Sequence, residues 1–454
     1  MPNSMIDFLT NYFYLSLIAG LAAFFLSSSI YLYPVIINVS KLKGLMDDPD
    51  HRKMHATKTP NLGGLGIFLA FSLSIIVFGI LTDLVPTDLS KLLAIMGSSI
   101  ILVFLGIKDD LTGMAPKKKL IGQLIAVLNV VVLTDIRILH FGGIFGLNEL
   151  PYFASVLFSI FVFMLVINAF NLVDGIDGLA GSLSILGSIT FGVLFSLKGN
   201  FLMTLVATIF VGSVLGFLKY NLSRDKKIFM GDCGSLLTGF LLAYQGIYFL
   251  NLNTEIGTTN NYMNSPVILL AILSYPLFDL LRVFSIRIRE GRSPFSADSN
   301  HIHHRLLRLG MSHKMATFTL VMANSLVIAF AFLTMHLNIH IHLVVSVLFG
   351  AAIYLLPFLK VFKIKTKVQS ASLNHEVASV YGNNTMDVFK MKDSAKADQN
   401  KGFKSALFEN DTSLATKTNG NGKEFLKDRT KNFNVIKGKL KYKKDKALDK
   451  DGVL

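Results

Sequence analysis

The stretch PYFASVLFSIFVFMLVINAFNLVDGIDGLAG (residues 151–181) joins a long apolar run to a dense group of polar side chains. As a helix, the run before Asn168 can cross most of the roughly 30 Å hydrocarbon core of a membrane. Two asparagines, two aspartates and three glycines then follow within residues 168–181. Polar chemistry at this density, at the end of a membrane span, indicates an active site at the membrane surface.

The whole chain has the composition of a membrane protein. Its residues are 52% apolar and only 16% charged, and its mean hydropathy of +0.53 is too high for an ordinary soluble globule. The sequence therefore predicts an all-α, polytopic integral membrane protein with about 11 transmembrane helices, although several stretches fall short of about 20 residues, above all the fourth. The apolar stretches lie near residues 12–37, 62–81, 92–107, 120–133, 152–170, 178–197, 201–218, 229–250, 265–283, 315–335 and 342–361.

The distribution of basic residues predicts the orientation, because Lys and Arg are retained on the cytoplasmic side. One set of alternate loops holds only Lys91, Arg137 and Lys198. The other set holds Lys41, Lys43, Arg52, Lys53, Lys58, Lys108, Lys117, Lys118, Lys119, Lys219, Arg224, Lys226, Lys227, Arg287, Arg289, Arg292, Arg305, Arg308 and Lys314. We therefore expect the N-terminus outside, the C-terminus in the cytoplasm, and the polar clusters on the cytoplasmic face.

The C-terminal region differs in composition from the rest of the chain. Residues 361–454 contain 20 Lys and Arg against 11 Asp and Glu. We expect a transmembrane catalytic domain with cytoplasmic loops over residues 1–362 and a basic, disordered cytoplasmic tail over 363–454. The tail can bind an anionic inner leaflet or be a dispensable solvated extension. Cys233 is the only cysteine, which excludes an intramolecular disulfide.

Three carboxylate clusters lie at predicted inner ends of spans. Asp109 and Asp110 follow one apolar run, and an interfacial stop signal is the alternative reading of this pair. Asp174 and Asp177, if helical, share a face with Asn171, and these oxygens are the ligands that Mg²⁺ prefers. Helix capping would explain one such residue but hardly the whole group.

The third cluster is FMGDCGS at residues 229–235, where Asp232 lies between glycines at the start of an apolar span. Asp232 can serve the site or simply cap a helix, and Phe229 can pack in the core or present its ring to a flat ligand. Further on, Arg287, Arg289 and Arg292 precede HIHHR at 301–305. Three histidines suggest Zn²⁺, but no Cys or Glu completes a tetrahedral set, so contact with an anion or a sugar is favoured.

Five motifs together resemble the polyprenyl-phosphate N-acetylhexosamine-1-phosphate transferases of glycosyltransferase family 4. Within this family, which also contains the related MraY branch, the chain is most similar to the WecA and TagO type. The resemblance extends over about residues 40–315. The motifs are DDPDHRKMHATKTPNLGGLGIF (47–68), GIKDDLTGMAPKKKLIGQ (106–123), NAFNLVDGIDGL (168–179), FMGDCGS (229–235) and GRSPFSADSNHIHHRLLRLG (291–310).

The resemblance implies a role for each matching residue. Asp232 and Asn171 look like the Mg²⁺ ligands, with Mn²⁺ as a substitute ion. Asp109 and Asp110 match the paired aspartates near the lipid phosphate, and Asp174 and Asp177 match the uridine-side and active-site acids. The residues that resemble the substrate-binding groups are Lys119 for the lipid phosphate, Phe229 for uracil, and Arg287, His301, His303 and His304 for the amino sugar and pyrophosphate.

The implied reaction is attack by a polyprenyl phosphate, such as undecaprenyl phosphate, on the β-phosphorus of a UDP-N-acetylhexosamine. UMP would leave, and the lipid-linked product would begin synthesis of a cell-envelope polysaccharide. The implied partners are the lipid, the UDP-sugar and a bacterial inner membrane, with no nucleic acid; a homodimer stays open. The competing hypothesis is a transporter or flippase of lipid-linked or nucleotide sugars, although transporters place substrate groups near the midplane, often with repeats that we do not find here. A metal transporter is disfavoured because arginines flank the histidines.

Overall fold

A computed structural model describes residues 5–29, 32–47, 59–147, 149–252, 264–293 and 300–359. The predicted tail at 363–454 and most of the 47–58 portion of the first motif lie outside these residues. The described part is built almost entirely of helices, so the prediction of an all-α, polytopic membrane protein is confirmed.

Fourteen α-helices form the described part of the chain. They are α1 Met5–Ser28, α2 Leu32–Leu42, α3 Gly63–Leu81, α4 Pro86–Thr112, α5 Pro116–Leu133, α6 Tyr152–Val173, α7 Leu179–Leu197, α8 Phe201–Asn221, α9 Gly231–Leu252, α10 Ser265–Ile272, α11 Ser274–Arg289, α12 Ile302–Arg308, α13 His313–Leu333 and α14 Ile339–Leu355. Two-residue strands β1 (Met46–Asp47) and β2 (Thr59–Pro60) pair antiparallel, and short 3₁₀ turns cover Ile144–Gly146 and Leu356–Phe358.

A helix lies at each of the eleven predicted spans, but not every helix can cross a membrane. In the described residues, nine stretches are long and apolar enough, and the pair α10–α11 makes ten if it counts as one bent span. The first predicted span comprises both α1 and α2. The difference from eleven is α5, whose first turn carries Lys117, Lys118 and Lys119. Its apolar part, residues 120–133, reaches about 21 Å at 1.5 Å per residue, which is shorter than the hydrocarbon core.

Helix α9 lies at the centre of the bundle. Every residue of α9 from Cys233 to Leu250 is buried, and α3, α4, α6, α7 and α10 pack around this helix. Glycines permit the closest of these contacts, because a Cβ atom at Gly106 of α4 would lie 2.3 Å from the Cα of Cys233. A Cβ atom at Gly64 of α3 would lie 2.0 Å from the backbone nitrogen of Gly234. The first turn of α9 is therefore held directly against two neighbouring helices.

The break between α10 and α11 bends the chain by 74°. A helix break leaves backbone N–H and C=O groups without intrahelical partners, and in an apolar surrounding these groups need other hydrogen-bond partners. Asn324 of α13 is such a partner: its amide nitrogen donates to the Ile272 carbonyl at 3.1 Å, and its oxygen accepts from the Tyr275 N–H at 3.1 Å. The bend thereby fixes the direction of α11, which carries Asp279 and Arg287.

Candidate active site

Four helix ends bring the central polar residues together at one end of the bundle. Asp109 and Asp110 lie in the last turn of α4, and Lys119 lies in the first turns of α5. Asn171 lies near the end of α6, and Asp232 lies in the first turn of α9. The chain separates Asp110 from Asp232 by 122 positions, so only the packing of the helices assembles the group.

The Lys119 ammonium is the centre of this group. Its Nζ lies 2.9 Å from Oδ2 of Asp109, 2.9 Å from Oδ2 of Asp232 and 3.4 Å from the amide oxygen of Asn171. The Lys119 side chain is 14% exposed and that of Asp109 is 12% exposed. Three oxygen atoms from three helices therefore converge on one positive charge that is largely shielded from solvent.

Asn171 links α6 to the first turn of α9. Its amide nitrogen donates to Oδ1 of Asp232 and to Oγ of Ser235, the latter at 2.9 Å. Ser235 was not among the residues predicted from the sequence. Its position in FMGDCGS, three residues after Asp232 on the same helical face, was the signal that could have identified it.

The paired aspartates have different surroundings. Asp109 accepts a hydrogen bond from the Met114 N–H at 2.6 Å, and its other oxygen contacts Lys119. Asp110 instead accepts the backbone N–H of Asp232 at 2.9 Å and that of Cys233 at 3.2 Å. The structure thus gives each carboxylate specific partners within the protein, which an interfacial stop signal would not need.

Asp174 and Asp177 lie in a turn rather than on a helix. Helix α6 ends at Val173, and residues 174–178 connect it to α7. The helical condition under which these aspartates would share a face with Asn171 is therefore not met, because the glycines at 175 and 178 interrupt the helix and Gly178 adopts a φ of 78°. Burial, together with the negative charges of Asp232, Asp110 and Asp177, raises the pKa of Asp174 well above its ordinary value.

Asp177 forms a second charged group with two residues that the sequence reasoning did not single out. Its Oδ2 lies 2.7 Å from Nζ of Lys227 and 3.2 Å from Nδ1 of His313. Burial alone would raise the pKa of Asp177, but the hydrogen bonds and charges of His313 and Lys227 bring it below the ordinary value. Nζ of Lys227 also lies 5.1 Å from the ring centroid of Phe229.

Backbone contacts hold Phe229 in place, while its side chain is only partly buried. Its N–H donates to the Pro60 carbonyl at 2.8 Å, and its own carbonyl accepts from the Gly63 N–H at 2.9 Å. The predicted uracil-stacking ring therefore stands at a fixed position beside the group formed by Asp177, Lys227 and His313.

The histidines of the 301–305 motif are placed differently from one another. Nδ1 of His301 lies 2.8 Å from Oδ2 of Asp279. The other oxygen of Asp279, Oδ1, accepts the Ile302 N–H at 2.9 Å and thus fixes the start of α12. His303 is 1% exposed, and its ring nitrogens have no hydrogen-bond partner among the residues that the structure describes. A Cβ atom at Gly175 would lie 2.4 Å from its Nε2. The ring of His304 lies 4.3 Å from that of His303.

The histidine motif therefore packs against the turn that carries Asp174 and Asp177. Arg287 is buried, and its guanidinium carbon lies 5.8 Å from the Phe284 ring centroid. Within the described ranges, no group of three or more His, Cys, Asp or Glu side chains is arranged to hold a metal ion by itself.

A pair of amide side chains, the buried Gln123 and the partly buried Asn168, lies one helical turn deeper than Lys119 and Asn171. The Asn168 amide nitrogen donates to Oε1 of Gln123 at 2.9 Å, and Nε2 of Gln123 is 3.5 Å from Oδ1 of Asn168. Gln123 follows Lys119 by four residues on α5, and Asn168 precedes Asn171 by three on α6. The pair thus fixes α5 against α6 at the level next to the site.

The chain is similar in sequence to one protein family and to several of its members. The family model described as Glycosyl transferase family 4 matches residues 92–250. The chain is 32% identical over 349 residues to the undecaprenyl-phosphate alpha-N-acetylglucosaminyl 1-phosphate transferase of Escherichia coli strain K12, covering 75% of this chain and 90% of the relative. It is 33% identical to a probable undecaprenyl-phosphate N-acetylglucosaminyl 1-phosphate transferase of Bacillus subtilis, covering 63% and 76%. It is also 33% identical to a decaprenyl-phosphate N-acetylglucosaminephosphotransferase of Mycobacterium leprae, covering 59% and 71%.

Proposed function

The chain belongs to glycosyl transferase family 4, and on this premise we propose that it is a UDP-N-acetylglucosamine:undecaprenyl-phosphate N-acetylglucosamine-1-phosphate transferase. The relatives are named for transfer of N-acetylglucosamine 1-phosphate to a polyprenyl phosphate, and this chain is a transferase of the same kind. The particular donor, the undecaprenyl chain and the role in starting a cell-envelope polysaccharide are parts of the proposal.

The observation that carries the proposal is the convergence of Asp109, Asn171 and Asp232 on the Lys119 ammonium. Phosphoryl transfer is catalysed mainly by positioning the reactants and neutralising negative charge. In this group the Lys119 ammonium lies 2.9 Å from each of two carboxylate oxygens. Helix ends of a membrane bundle are also where a membrane lipid and a water-soluble nucleotide sugar can meet.

The reaction is a displacement at phosphorus. An oxygen of the lipid phosphate attacks the β-phosphorus of the donor, a new P–O bond forms, and the bond from the β-phosphorus to the bridging oxygen breaks. UMP leaves with both electrons of that bond. Lys119 binds the attacking phosphate, and the nearby Asp109 carboxylate keeps that phosphate free of a proton. Direct displacement needs no covalent intermediate; a two-step route through an aspartyl phosphate is the alternative.

The donor set of this site fits Mg²⁺. Asp109 Oδ2, Asp232 Oδ2 and the Asn171 amide oxygen surround one position with oxygen atoms only, and Mg²⁺ prefers oxygen ligands shared with substrate phosphates. Asp232 and Asn171 would hold the ion, or Mn²⁺ in its place. When bound, the ion supplies positive charge to the donor diphosphate. In the described structure the Lys119 ammonium is the cation among these oxygens.

The location and orientation that we propose for the enzyme rest on its multi-pass helical structure and on the charge of its loops. We assign it to the bacterial inner membrane with the site on the cytoplasmic face, since the basic loops favour that orientation and UDP-sugars are made in the cytosol. The partners are a polyprenyl phosphate and a UDP-N-acetylhexosamine. No nucleic acid is a partner in this proposal, which does not assign an oligomeric state.

The experiment that tests the proposal measures UMP release by the purified protein with undecaprenyl phosphate, Mg²⁺ and a panel of UDP-N-acetylhexosamines. Lipid-dependent, EDTA-sensitive release from UDP-N-acetylglucosamine is expected. Asp232→Asn should lower the rate by about 100-fold or more, since it removes a charge from the reacting centre. Asp225→Asn, at an exposed neighbouring position, is the matched control and should behave as wild type. Release of no UMP from any donor by a folded sample would refute the proposal.

A further inference from the structure

We propose that Asp110 is a positioning residue that caps α9 from α4 and thereby fixes Asp232, and that Asp109 alone of the adjacent pair acts on the reactants. This inference rests on the proposed function, because it assigns different roles to two residues of that site. It departs from the expectation that both aspartates are catalytic.

The first observation is how the oxygens of Asp110 are used. The first four N–H groups of an α-helix have no partner within the helix, and a carboxylate near them is also favoured by the helix dipole. Asp110 accepts two successive N–H groups at the start of α9, those of Asp232 and Cys233, with one oxygen each. Oδ1 also lies 3.4 Å from the amide nitrogen of Asn61. Both oxygens are therefore engaged in holding a backbone.

The second observation is that the backbone around this contact is shaped to let the carboxylate in. Gly231, the residue before Asp232, has a φ of 71°, and a Cβ atom there would lie 1.9 Å from the Asn61 carbonyl oxygen and 2.7 Å from Oδ2 of Asp110. At Gly106, one turn before Asp110 on α4, the absence of a side chain lets α4 touch the backbone of Cys233. Glycines at both places allow the carboxylate to reach the helix end.

The third observation is the contrast with Asp109. Oδ2 of Asp109 contacts the Lys119 ammonium. The contacts of Asp110 in the described part of the chain are with Asn61, Asp232 and Cys233, and none is with Lys119 or Asn171. Asp232 stands between the two: its N–H is held by Asp110, and its carboxylate contacts Lys119 and Asn171. Asp110 therefore acts on the reacting centre through Asp232, whereas Asp109 belongs to it.

The test compares replacements that can cap a helix with one that cannot. Asn and Ser are good capping residues, whereas Leu offers no acceptor. If Asp110 positions Asp232, Asp110→Asn and Asp110→Ser should keep activity within about 100-fold of wild type, and Asp110→Leu should fall below both. Raised Mg²⁺ should partly restore the two capping variants, and their pH–rate profiles should keep the wild-type shape. Asp109→Asn should not be restored by Mg²⁺.

Equal inactivity of Asp110→Asn, Asp110→Ser and Asp110→Leu, or loss of a limb from the pH–rate profile of Asp110→Asn, would overturn the proposal. A second readout does not depend on turnover: amide hydrogen exchange over residues 231–236 should be faster in Asp110→Leu than in Asp109→Leu. Unchanged exchange in Asp110→Leu would equally overturn it. If the wild type releases no UMP but the exchange result is obtained, the proposed function fails while the capping role stands.

Discussion

Replacing Lys119 by methionine removes the positive charge from the centre of the site while keeping a side chain of similar length. The ammonium is 2.9 Å from each of two carboxylate oxygens on different helices, and little of it is exposed. Its removal leaves Asp109 and Asp232 facing each other without a counter-charge. We therefore expect the apo protein to lose stability and to bind a divalent ion more tightly than wild type.

The magnitude follows from the burial of these groups. Removing one partner of a buried ion pair typically costs about 3–5 kcal/mol, because the remaining charge is left unpaired. The side chains of Lys119 and Asp109 are 14% and 12% exposed, but that of Asp232 is 29% exposed, so we expect the lower part of this range. A divalent ion at 100 times its Kd adds about 2.7 kcal/mol to the stability of a folded protein. Most of the lost stability should therefore return with Mg²⁺ or Mn²⁺.

The assay is thermal unfolding of the purified protein in detergent, with EDTA and over a titration of Mn²⁺. Lys118→Met is the matched control, since Lys118 is the exposed neighbour on the same turn. With EDTA, Lys119→Met should unfold at a lower temperature than wild type and Lys118→Met should not. A Mn²⁺ response of Lys119→Met no larger than that of the control would refute the idea that Lys119 occupies the cation position.

Three further predictions concern residues around this centre. Burial, and the neighbouring imidazoles of His304, His301 and His313, lower the pKa of His303 well below its ordinary value. Below about pH 6.5 the unfolded chain binds a proton at His303 that the folded chain does not. The free energy of unfolding should therefore fall by about 1.4 kcal/mol per pH unit on this account. Measured at pH 5–8, the free energy of unfolding of His303→Gln should lack this contribution. Phe229→Ala should raise the KM for the UDP-sugar about 5- to 150-fold, as loss of base stacking does, while Phe229→Tyr stays near wild type; equal KM values would exclude stacking. Gln123→Leu removes one of the two hydrogen bonds of the Asn168 amide nitrogen and leaves the other, to the Met164 carbonyl at 2.7 Å. It should destabilise the protein by about 0.5–1.5 kcal/mol, and the double variant with Asn168→Leu should recover part of this in chemical denaturation.

The helical framework and the composition of the site were readable from the sequence because both are local. Apolar runs identify the helices, and the five motifs place the polar residues at their ends. The sequence already marked the fourth stretch, 120–133, as short for a span, and the helix that contains it carries three lysines in its first turn. The turn at 174–178 was not readable in this way, because glycines end the helix where a helical spacing had been considered.

The arrangement within the site required tertiary structure. Asp109 and Asp110 are neighbours in the sequence with the same chemistry, yet one meets Lys119 and the other meets the backbone of α9. The partners of Asp177 come from positions 227 and 313, and no spacing in the sequence relates them. Pairings across such distances are decided by how helices pack, which a single sequence leaves unspecified.

The single cysteine of the chain has a practical consequence. Cys233 is completely buried in the first turn of α9, against α4, so a thiol reagent added to the folded protein meets no native target in the described residues. The natural chain can therefore be used directly as the unlabelled reference in cysteine-accessibility labelling, and Cys233 need not be replaced first. A cysteine introduced at Lys118 and another at Lys198, labelled in intact cells with an impermeant maleimide, would report directly on which side of the membrane each end of the bundle faces.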